Sequence, residues 1–251
     1  QSSNTSVAQV PSSLTIAAGT TSASFTITTT PVAANTSVTI SAAYGVTKTT
    51  TLGVNAPTLS SIGRSPGAVV GGASSTGTVT LNGAAPASGA IVTLQSNNTS
   101  AAQVSASVTV LAGATKATFT ITTNPVISNT SVTITGIYGL TRTTSLTVYA
   151  PSLSSFSRSP TSVVGGNPST GTVTLSGAAP AGGEVVSLES SNTSVAQVPP
   201  SVLIPSGSTS ANFTISTSGV ASSIAVSISA TLGTTTRSNS LTVTPALLTA
   251  L

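Results

Sequence analysis

A nine-residue motif recurs at a constant spacing, and this recurrence constrains the fold more than any other feature of the sequence. SSNTSVAQV at residues 2–10 returns as SNNTSAAQV at 96–104 and again as SSNTSVAQV at 190–198, so each copy begins 94 positions after the one before it. A fixed spacing of this size is the signature of one structural unit copied in tandem. We therefore expect each unit to fold in the same way.

The spacing divides the 251 residues into parts of unequal completeness. Residues 57–150 and 151–244 are predicted to be two complete units, and residues 1–56 the C-terminal part of an earlier unit. Residues 245–251 either begin a further unit or form a tail. A unit of 94 residues is large enough to bury its own core, so the sequence predicts a row of separate domains.

Apolar residues alternate with polar ones throughout the chain, which predicts strands and no helices. The predicted strands of the second unit are 58–72 (broken at Pro66), 76–83, 90–96, 107–113, 116–123, 131–139 and 143–151. The side chains predicted to point into its core are Val79, Leu81, Ile91, Val92, Leu94, Val108, Val110, Phe119, Ile121, Val132, Ile134, Leu146 and Val148. About seven short strands in about 100 residues predict an antiparallel β-sandwich of the immunoglobulin-like kind. A jelly roll or a closed barrel would usually need more strands.

Several segments of the third unit carry a resemblance to a known class of repeats. They are STGTVTLSGAAPAGG at 169–183, SSNTSVAQVP at 190–199, STSANFTI at 208–215 and SLTVTP at 240–245. Together they resemble the Ig-like (Big-type) tandem repeats of bacterial surface and secreted proteins, and the resemblance covers essentially the whole chain. It implies a stalk or spacer in a large exported protein, adhesins among them, at the cell surface or outside the cell.

Charged residues are rare, and this excludes several classes of function. The chain has six Lys and Arg and two Glu, with a net charge of +4, so it has no basic patch for nucleic acid. No cysteine is present, which excludes disulfides and thiolate metal sites and fits a bacterial exported protein. No apolar run approaches the roughly 20 residues of a membrane span.

Catalysis has almost no suitable side chains, because the sequence contains no His, no Cys and only two acids. Glu184 and Glu189 are five positions apart on one predicted strand, so they should point to opposite faces as solvated carboxylates. Calcium takes about six to eight oxygen ligands, usually with several carboxylates, and the chain cannot supply them. We therefore predict no enzyme activity, no catalytic residue, no metal and no cofactor.

Aromatic and cationic side chains are the remaining candidates for binding. Phe25, Phe119 and Phe213 alternate with Ile and are predicted to lie in the core. Tyr44 and Tyr138 are predicted to be packed strand ends, and Tyr149 and Phe156 to fill a contact between units. Few aromatics then remain for a glycan-binding platform. The cations Lys48, Arg64, Arg142 and Arg158 are predicted to be solvated, with pairing to the acids of a partner as the alternative.

Glycans are a candidate partner for a different reason, because N-x-Ser/Thr sequons are frequent. They begin at Asn4, Asn35, Asn97, Asn98, Asn129, Asn192 and Asn212. So many are expected by chance in a chain this rich in Ser, Thr and Asn. The dense Thr is a second candidate for O-linked sugars.

The junctions between units are short and contain proline. NAPTL at 55–59 and YAPSL at 149–153 leave one or two residues between successive predicted strands, and TPALL at 244–248 repeats the pattern. Proline restricts φ and stiffens a linker, so we predict a semi-rigid rod.

The first unit lacks the counterparts of three strands, and this predicts an uncovered apolar face. The exposed side chains would be Phe25, Ile27, Val38 and Ile40. Each would lose a burial free energy of about 1.5 to 3 kcal/mol. Two explanations remain open: the chain is a window of a longer array, or a neighbouring chain completes the unit by strand addition. The C-terminal PALLTAL offers only one strand for that purpose.

These features together favour an extracellular structural protein, built as a stalk, a filament or a surface-layer component, with other copies of itself as partners. The alternative is an adhesin, or a carbohydrate- or protein-binding module of a larger cell-surface protein. A module that accompanies a catalytic domain is the third hypothesis.

Overall fold

The structure, a computed structural model, describes residues 1–247 and contains strands, turns and loops within that range. Residues 248–251, on which part of the predicted tail or further unit falls, lie outside the described residues. The first unit has β1 (Ala8–Gln9), β2 (Thr28–Thr29), β3 (Thr36–Tyr44) and β4 (Val46–Val54). The second unit has β5 (Leu59–Ser65), β6 (Ala68–Val70), β7 (Ser75–Leu81), β8 (Ala90–Ser96), β9 (Ala102–Gln103), β10 (Ser107–Val110), β11 (Lys116–Thr123), β12 (Thr130–Tyr138) and β13 (Leu140–Tyr149). The third unit has β14 (Leu153–Ser159), β15 (Ser162–Val164), β16 (Ser169–Leu175), β17 (Glu184–Ser190), β18 (Ala196–Gln197), β19 (Ser201–Ile204), β20 (Ser210–Thr217), β21 (Ile224–Leu232) and β22 (Thr235–Thr244).

The second unit is a sandwich of two sheets with immunoglobulin-like strand order. One sheet has the order β5-β7-β11-β9 and the other the order β10-β8-β12-β13-β6. Strand β6 pairs in parallel with β13, whereas the other pairs in these sheets are antiparallel. The chain therefore changes sheets between β5 and β6, at Pro66, whose lack of an N–H suits a break in the ladder. The predicted all-β fold of tandem immunoglobulin-like sandwiches is confirmed.

The third unit repeats this order, with β14-β16-β20-β18 in one sheet and β15-β22-β21-β17-β19 in the other. One hairpin differs. Tyr138 pairs with Leu140 across the single residue Gly139, whereas Leu232 pairs with Thr235 across two residues. The spacing between equivalent residues is therefore 94 up to this turn and 95 after it, as for Leu146 and Leu241.

The two complete units each have a separate core, made by the inward residues of the alternating strands. The fully buried large side chains shared by the predicted list and the structure include Val79, Val92, Ile121, Ile134 and Leu146. One member of the predicted core is wrong: Ile91 is 63% exposed. It precedes the buried Val92, and successive residues of a strand point to opposite faces. The unpredicted short strands β9 and β18 lie within the repeated motif.

The first unit is incomplete, and its exposed residues differ in part from those predicted. Phe25 is 42% exposed, whereas Phe119 and Phe213 are 8% and 7% exposed. Val38 and Ile40, which were also expected to be uncovered, are buried in a small cluster with Ala8. Partly buried apolar residues pack against this cluster, namely Val7, Val10, Ile27 and Leu52. The start of the chain lies beside β3, because Ser2 forms a bridge with Ile40 and the N–H of Ser3 donates to the carbonyl of Thr39. The expectation for Phe25 is confirmed, and that for Val38 and Ile40 is wrong.

Candidate functional site

The two carboxylates lie on one strand of the third unit and do not form a pair. Glu189 is exposed, and Glu184 is half-buried on the side of β17 that carries the buried Val186 and Leu188. An odd separation along a strand places them on opposite faces. Within residues 1–247 no three His, Cys, Asp or Glu side chains are close enough to hold a metal ion. The same residues form no helix long and apolar enough to cross a membrane.

An open groove lies between β19 and β20 of the third unit. Its volume is about 650 Å³, and its lining includes Val202, Leu203, Asn212 and Phe213. The lining combines apolar surface with hydroxyl and amide groups, and it contains no side chain that titrates. Such a groove can offer apolar contact and neutral hydrogen bonds, but no acid or base.

The aromatic side chains occupy environments that only partly match the sequence-based expectations. Tyr138 is half-buried against the core of the second unit, as predicted. Tyr44, its counterpart in the incomplete unit, is 99% exposed, so the prediction of a packed strand end is wrong there. Phe156 was expected in a contact between units, but it is 5% exposed and stacks on Phe213 in the core of the third unit, with ring centroids 5.8 Å apart. Tyr149 is 44% exposed.

Three exposed arginines donate hydrogen bonds within their own unit. Arg64 Nη1 donates to Thr144 Oγ1 at 2.9 Å, and Arg142 Nε donates to the carbonyl of Ser60 at 2.8 Å. The corresponding Arg237 donates to the carbonyl of Ser154. These bonds join β13 and β22 to the edge strands of the opposite sheets. Arg64 and Arg142 are exposed, as predicted, and each also donates a hydrogen bond within the second unit.

Arg158 is an exception among the cations. It stands in the third unit where Arg64 stands in the second, but Asn239 replaces the threonine that Arg64 contacts. The Asn239 side chain instead donates to the carbonyl of Phe156, and within residues 1–247 Arg158 Nε is buried without a hydrogen-bond partner. The one-residue shift after the hairpin accompanies this change.

The repeated motif forms a turn in each of its three copies. The Asn4, Asn98 and Asn192 side-chain oxygens each accept a hydrogen bond from the serine hydroxyl two residues later, at 2.6, 2.7 and 2.7 Å. Asparagine forms turns of this kind readily because its side chain can replace a backbone carbonyl. Each turn leads into one of the short strands β1, β9 and β18. The motif that reveals the repeat therefore has a structural role.

The junction between the second and third units satisfies every backbone N–H in its three central residues. Asn129 Oδ1 accepts from the N–H of Ala150 at 3.0 Å, and Pro151 is buried and has no N–H. Ser176 Oγ accepts from the N–H of Ser152 at 3.0 Å, and the Ser176 N–H donates to the carbonyl of Ser152 at 2.8 Å. The residue before the proline is thus held by one unit, and the residue after it by the next.

The junction between the first and second units is built in the same way. Asn35 Oδ1 accepts from Ala56 at 2.9 Å, Asn82 Oδ1 accepts from Thr58 at 2.8 Å, and Pro57 between them is buried. Sequence reasoning found the prolines but missed the asparagines, because the bonds span 21 and 24 residues. Their recurrence 94 positions apart, at 35 and 129, was the signal available in the sequence.

Comparisons with known proteins return structures rather than families. No protein-family model matches the chain, and no curated protein matches it. The D0-D1 domain of intimin is 14% identical, with a TM-score of 0.32, over 74% of this chain and 99% of that chain. The Escherichia coli adhesin FdeC is 16% identical, with a TM-score of 0.35, over 84% of this chain and 74% of that chain. The titin fragment I67-I69 is 11% identical, with a TM-score of 0.35, over 85% of this chain and 75% of that chain. The immunoglobulin-like fold of the two complete units is assigned from their strand order and pairing.

Proposed function

We propose that this chain is part of a non-catalytic extracellular structural protein, a rod-like stalk, filament or surface-layer component built of Ig-like repeats. The observation that carries the proposal is the pair of junctions, at Ala56–Thr58 and Ala150–Ser152, where both neighbouring units hold the linker by hydrogen bonds. A linker fixed on both sides keeps consecutive domains in line, as a spacer requires. The resemblance to bacterial Big-type repeats supports the same role.

The arrangement of strands within a unit suits a protein under tension. A force along the chain enters the second unit near Pro57 and leaves it near Pro151. Strand β6 runs parallel to β13, and its last residue, Val70, pairs with Tyr149 close to the exit. Two bonds flank this pairing, from the N–H of Gly71 to the carbonyl of Tyr149 and from the N–H of Thr147 to the carbonyl of Gly67. Pulling the ends apart would shear these bonds together rather than break them one at a time.

Labelling of intact cells of the producing organism tests this proposal. An antibody raised against residues 57–244 should label intact cells or detect the protein in the culture medium. Electron microscopy should place the label on extended surface structures. A signal that appears only after cell lysis would refute the extracellular role.

An adhesin, or a carbohydrate- or protein-binding module, is the second candidate, and the groove between β19 and β20 favours it. The groove lining contains the amides of Gln197 and Asn212, and at the position of Asn212 the second unit has Thr118. Glycan-array binding that Asn212→Ala abolishes and Thr118→Ala preserves would support this role. An array without any bound glycan would count against a carbohydrate ligand.

The uncovered face of the first unit favours contact with further protein. Its exposed residues include Leu14, Ile16 and Phe25, which are between 42% and 54% exposed. Among the described strands, β4 pairs with β3 alone, whereas its counterpart β13 also pairs with β6. We infer that this face is covered in the whole protein, either by preceding residues of the same protein or by a strand of another copy. Intact mass of the native protein, with peptide mapping of both ends, separates these two sources.

Glycans are proposed as attached groups rather than as ligands. Among the sequons, Asn212 is exposed on β20, and its side-chain oxygen accepts from Thr172 at 2.8 Å. Asn35, Asn129 and Asn97 use their side-chain oxygens in bonds that span 21 to 36 residues. The Asn212 oxygen likewise makes a bond that spans 40 residues, so these contacts single out none of the four sequons. A native mass equal to that of the bare polypeptide would rule out glycosylation.

A further inference from the structure

We propose that Gly177 and Val70 form a steric contact that fixes the angle between the second and third units. Gly177 belongs to the turn after β16 in the third unit, and Val70 is the last residue of β6 in the second. The inference deepens the proposed function and rests on it, because it names the two residues whose contact makes the array stiff. The contact is an interaction surface between two neighbouring repeats.

The two units approach each other closely at this point. A Cβ atom built on Gly177 would lie 2.5 Å from Val70 Cγ1 and 3.5 Å from the carbonyl oxygen of Gly71. A separation of 2.5 Å is shorter than two carbon atoms can adopt, since their optimal separation is about 3.5 to 4.0 Å. Only glycine therefore fits against Val70 in the observed arrangement.

The chain contains an internal control on each side of this contact. Gly83 is the counterpart of Gly177 in the second unit, and a Cβ there would meet only Pro57 Cβ, at 3.8 Å. Val164 is the counterpart of Val70 in the third unit, and it is 41% exposed, whereas Val70 is half-buried. The close approach therefore belongs to the meeting of two repeats and is not a property of either turn alone.

Both sides of the contact are fixed to the linker. Val70 pairs with Tyr149, just before Ala150, and the N–H of Gly71 donates to the Tyr149 carbonyl at 3.0 Å. On the other side, Ser176 precedes Gly177 and shares three hydrogen bonds with Ser152. The units are consequently joined at two points, covalently through Pro151 and by packing through Val70 and Gly177. A second point of attachment removes the rotation that a single linker would allow.

Spin-label distance measurements on the 251-residue chain test the contact directly. Because the chain has no cysteine, Thr120→Cys and Thr214→Cys provide unique labels at equivalent exposed positions of the two complete units. The labelled parent should give one narrow distance distribution. Gly177→Ala should shift or broaden it, whereas the matched Gly83→Ala should leave it unchanged.

A compensating change distinguishes this contact from a general effect on folding. In Val70→Ala with Gly177→Ala, the clashing methyl is gone and the nearest Val70 atom left is Cβ, 3.5 Å from the new methyl, an ordinary contact. The double variant should recover the narrow distribution. Circular dichroism on each variant verifies that the sandwiches remain folded.

The proposal is overturned if Gly177→Ala gives the same distribution as the parent, or if the double variant stays as broad as the single one. A broad distribution in the parent would overturn it as well. None of these results depends on where the protein is located, so the contact and the extracellular role fail separately. A narrow parent distribution together with a purely intracellular location would keep the contact and remove the role.

Discussion

The side-chain oxygen of Asn129 accepts a hydrogen bond from the backbone N–H of Ala150, with a donor–acceptor distance of 3.0 Å. Asn129 lies just before β12, and Ala150 is the residue before the buried Pro151. The bond spans 21 residues and anchors the exit of the second unit to the body of that unit. In the third unit Pro245 stands where Ala150 would be and needs no acceptor, and Ser223 stands in place of the asparagine.

Replacing Asn129 by Ala should loosen the junction without unfolding the unit. A net hydrogen bond of this kind contributes about 1 kcal/mol, so the Ala150 amide should exchange with solvent roughly fivefold faster. Ser223→Ala is the matched control, because the proline at the equivalent exit has no N–H to lose. Unchanged exchange at Ala150 would show that the bond does not hold the linker. NMR measures the hydrogen-exchange rate of the Ala150 amide in Asn129→Ala, and the backbone amide exchange of the third unit in Ser223→Ala.

Phe25→Ala and Phe119→Ala remove the same side chain from an incomplete unit and from a complete one. Truncating a buried phenylalanine costs about 3 to 5 kcal/mol, which is the expected loss for Phe119, at 8% exposure. Phe25 is 42% exposed, so its truncation should lower the free energy of unfolding by well under half as much. Chemical denaturation followed by circular dichroism measures the difference. Equal costs would mean that another part of the protein or a second copy covers Phe25 in solution.

Phe156→Ala should destabilise the third unit, because Phe156 stacks on Phe213 inside that core. The expected cost is about 3 to 5 kcal/mol, and the melting transition of the second unit should not move. Tyr149→Ala serves as control: its side chain is 44% exposed, and surface changes usually stay within about 0.5 kcal/mol. Calorimetry that showed equal effects for Phe156 and Tyr149 would restore the earlier expectation that both fill a contact between units.

The stability of the chain should depend little on salt and on pH near neutrality. Only eight side chains carry charge, and the sequence has no histidine or cysteine, the residues whose charge changes most often in this range. The midpoint of urea unfolding should therefore be nearly the same in 50 mM and 500 mM NaCl, and at pH 6 and pH 8. A marked shift with either variable would indicate a bound ion or a charged group with an unexpected role.

Local patterns in the sequence were sufficient to predict the strands and most of the core. Val79, Phe119 and Ile134 each belong to a run of alternating residues, and alternation alone decides which face of a strand is buried. Ile91 was assigned wrongly because it sits beside another apolar residue, and the sequence does not say which of the two faces inward. The parallel pairing of β6 with β13 was not predicted, since it joins strands from opposite ends of the unit.

Residues that act across long separations were the hardest to place. Phe156 lies close to a junction in sequence, but β14 carries it into the core of its own unit. Asn129 and Ser176 bond to residues 21 and 24 positions away, and no local pattern marks them as linker contacts. The approach of Gly177 to Val70 depends on the relative orientation of two domains, which is a property of the assembled repeats.

Small-angle X-ray scattering of the 251-residue chain tests most directly the central claim that the joints hold the repeats as a rod. We predict that one elongated arrangement of the units reproduces the whole scattering curve, with the same maximum dimension in low and high salt. A curve that requires a broad ensemble of compact and extended arrangements would contradict the account, because the units would then move independently about flexible linkers.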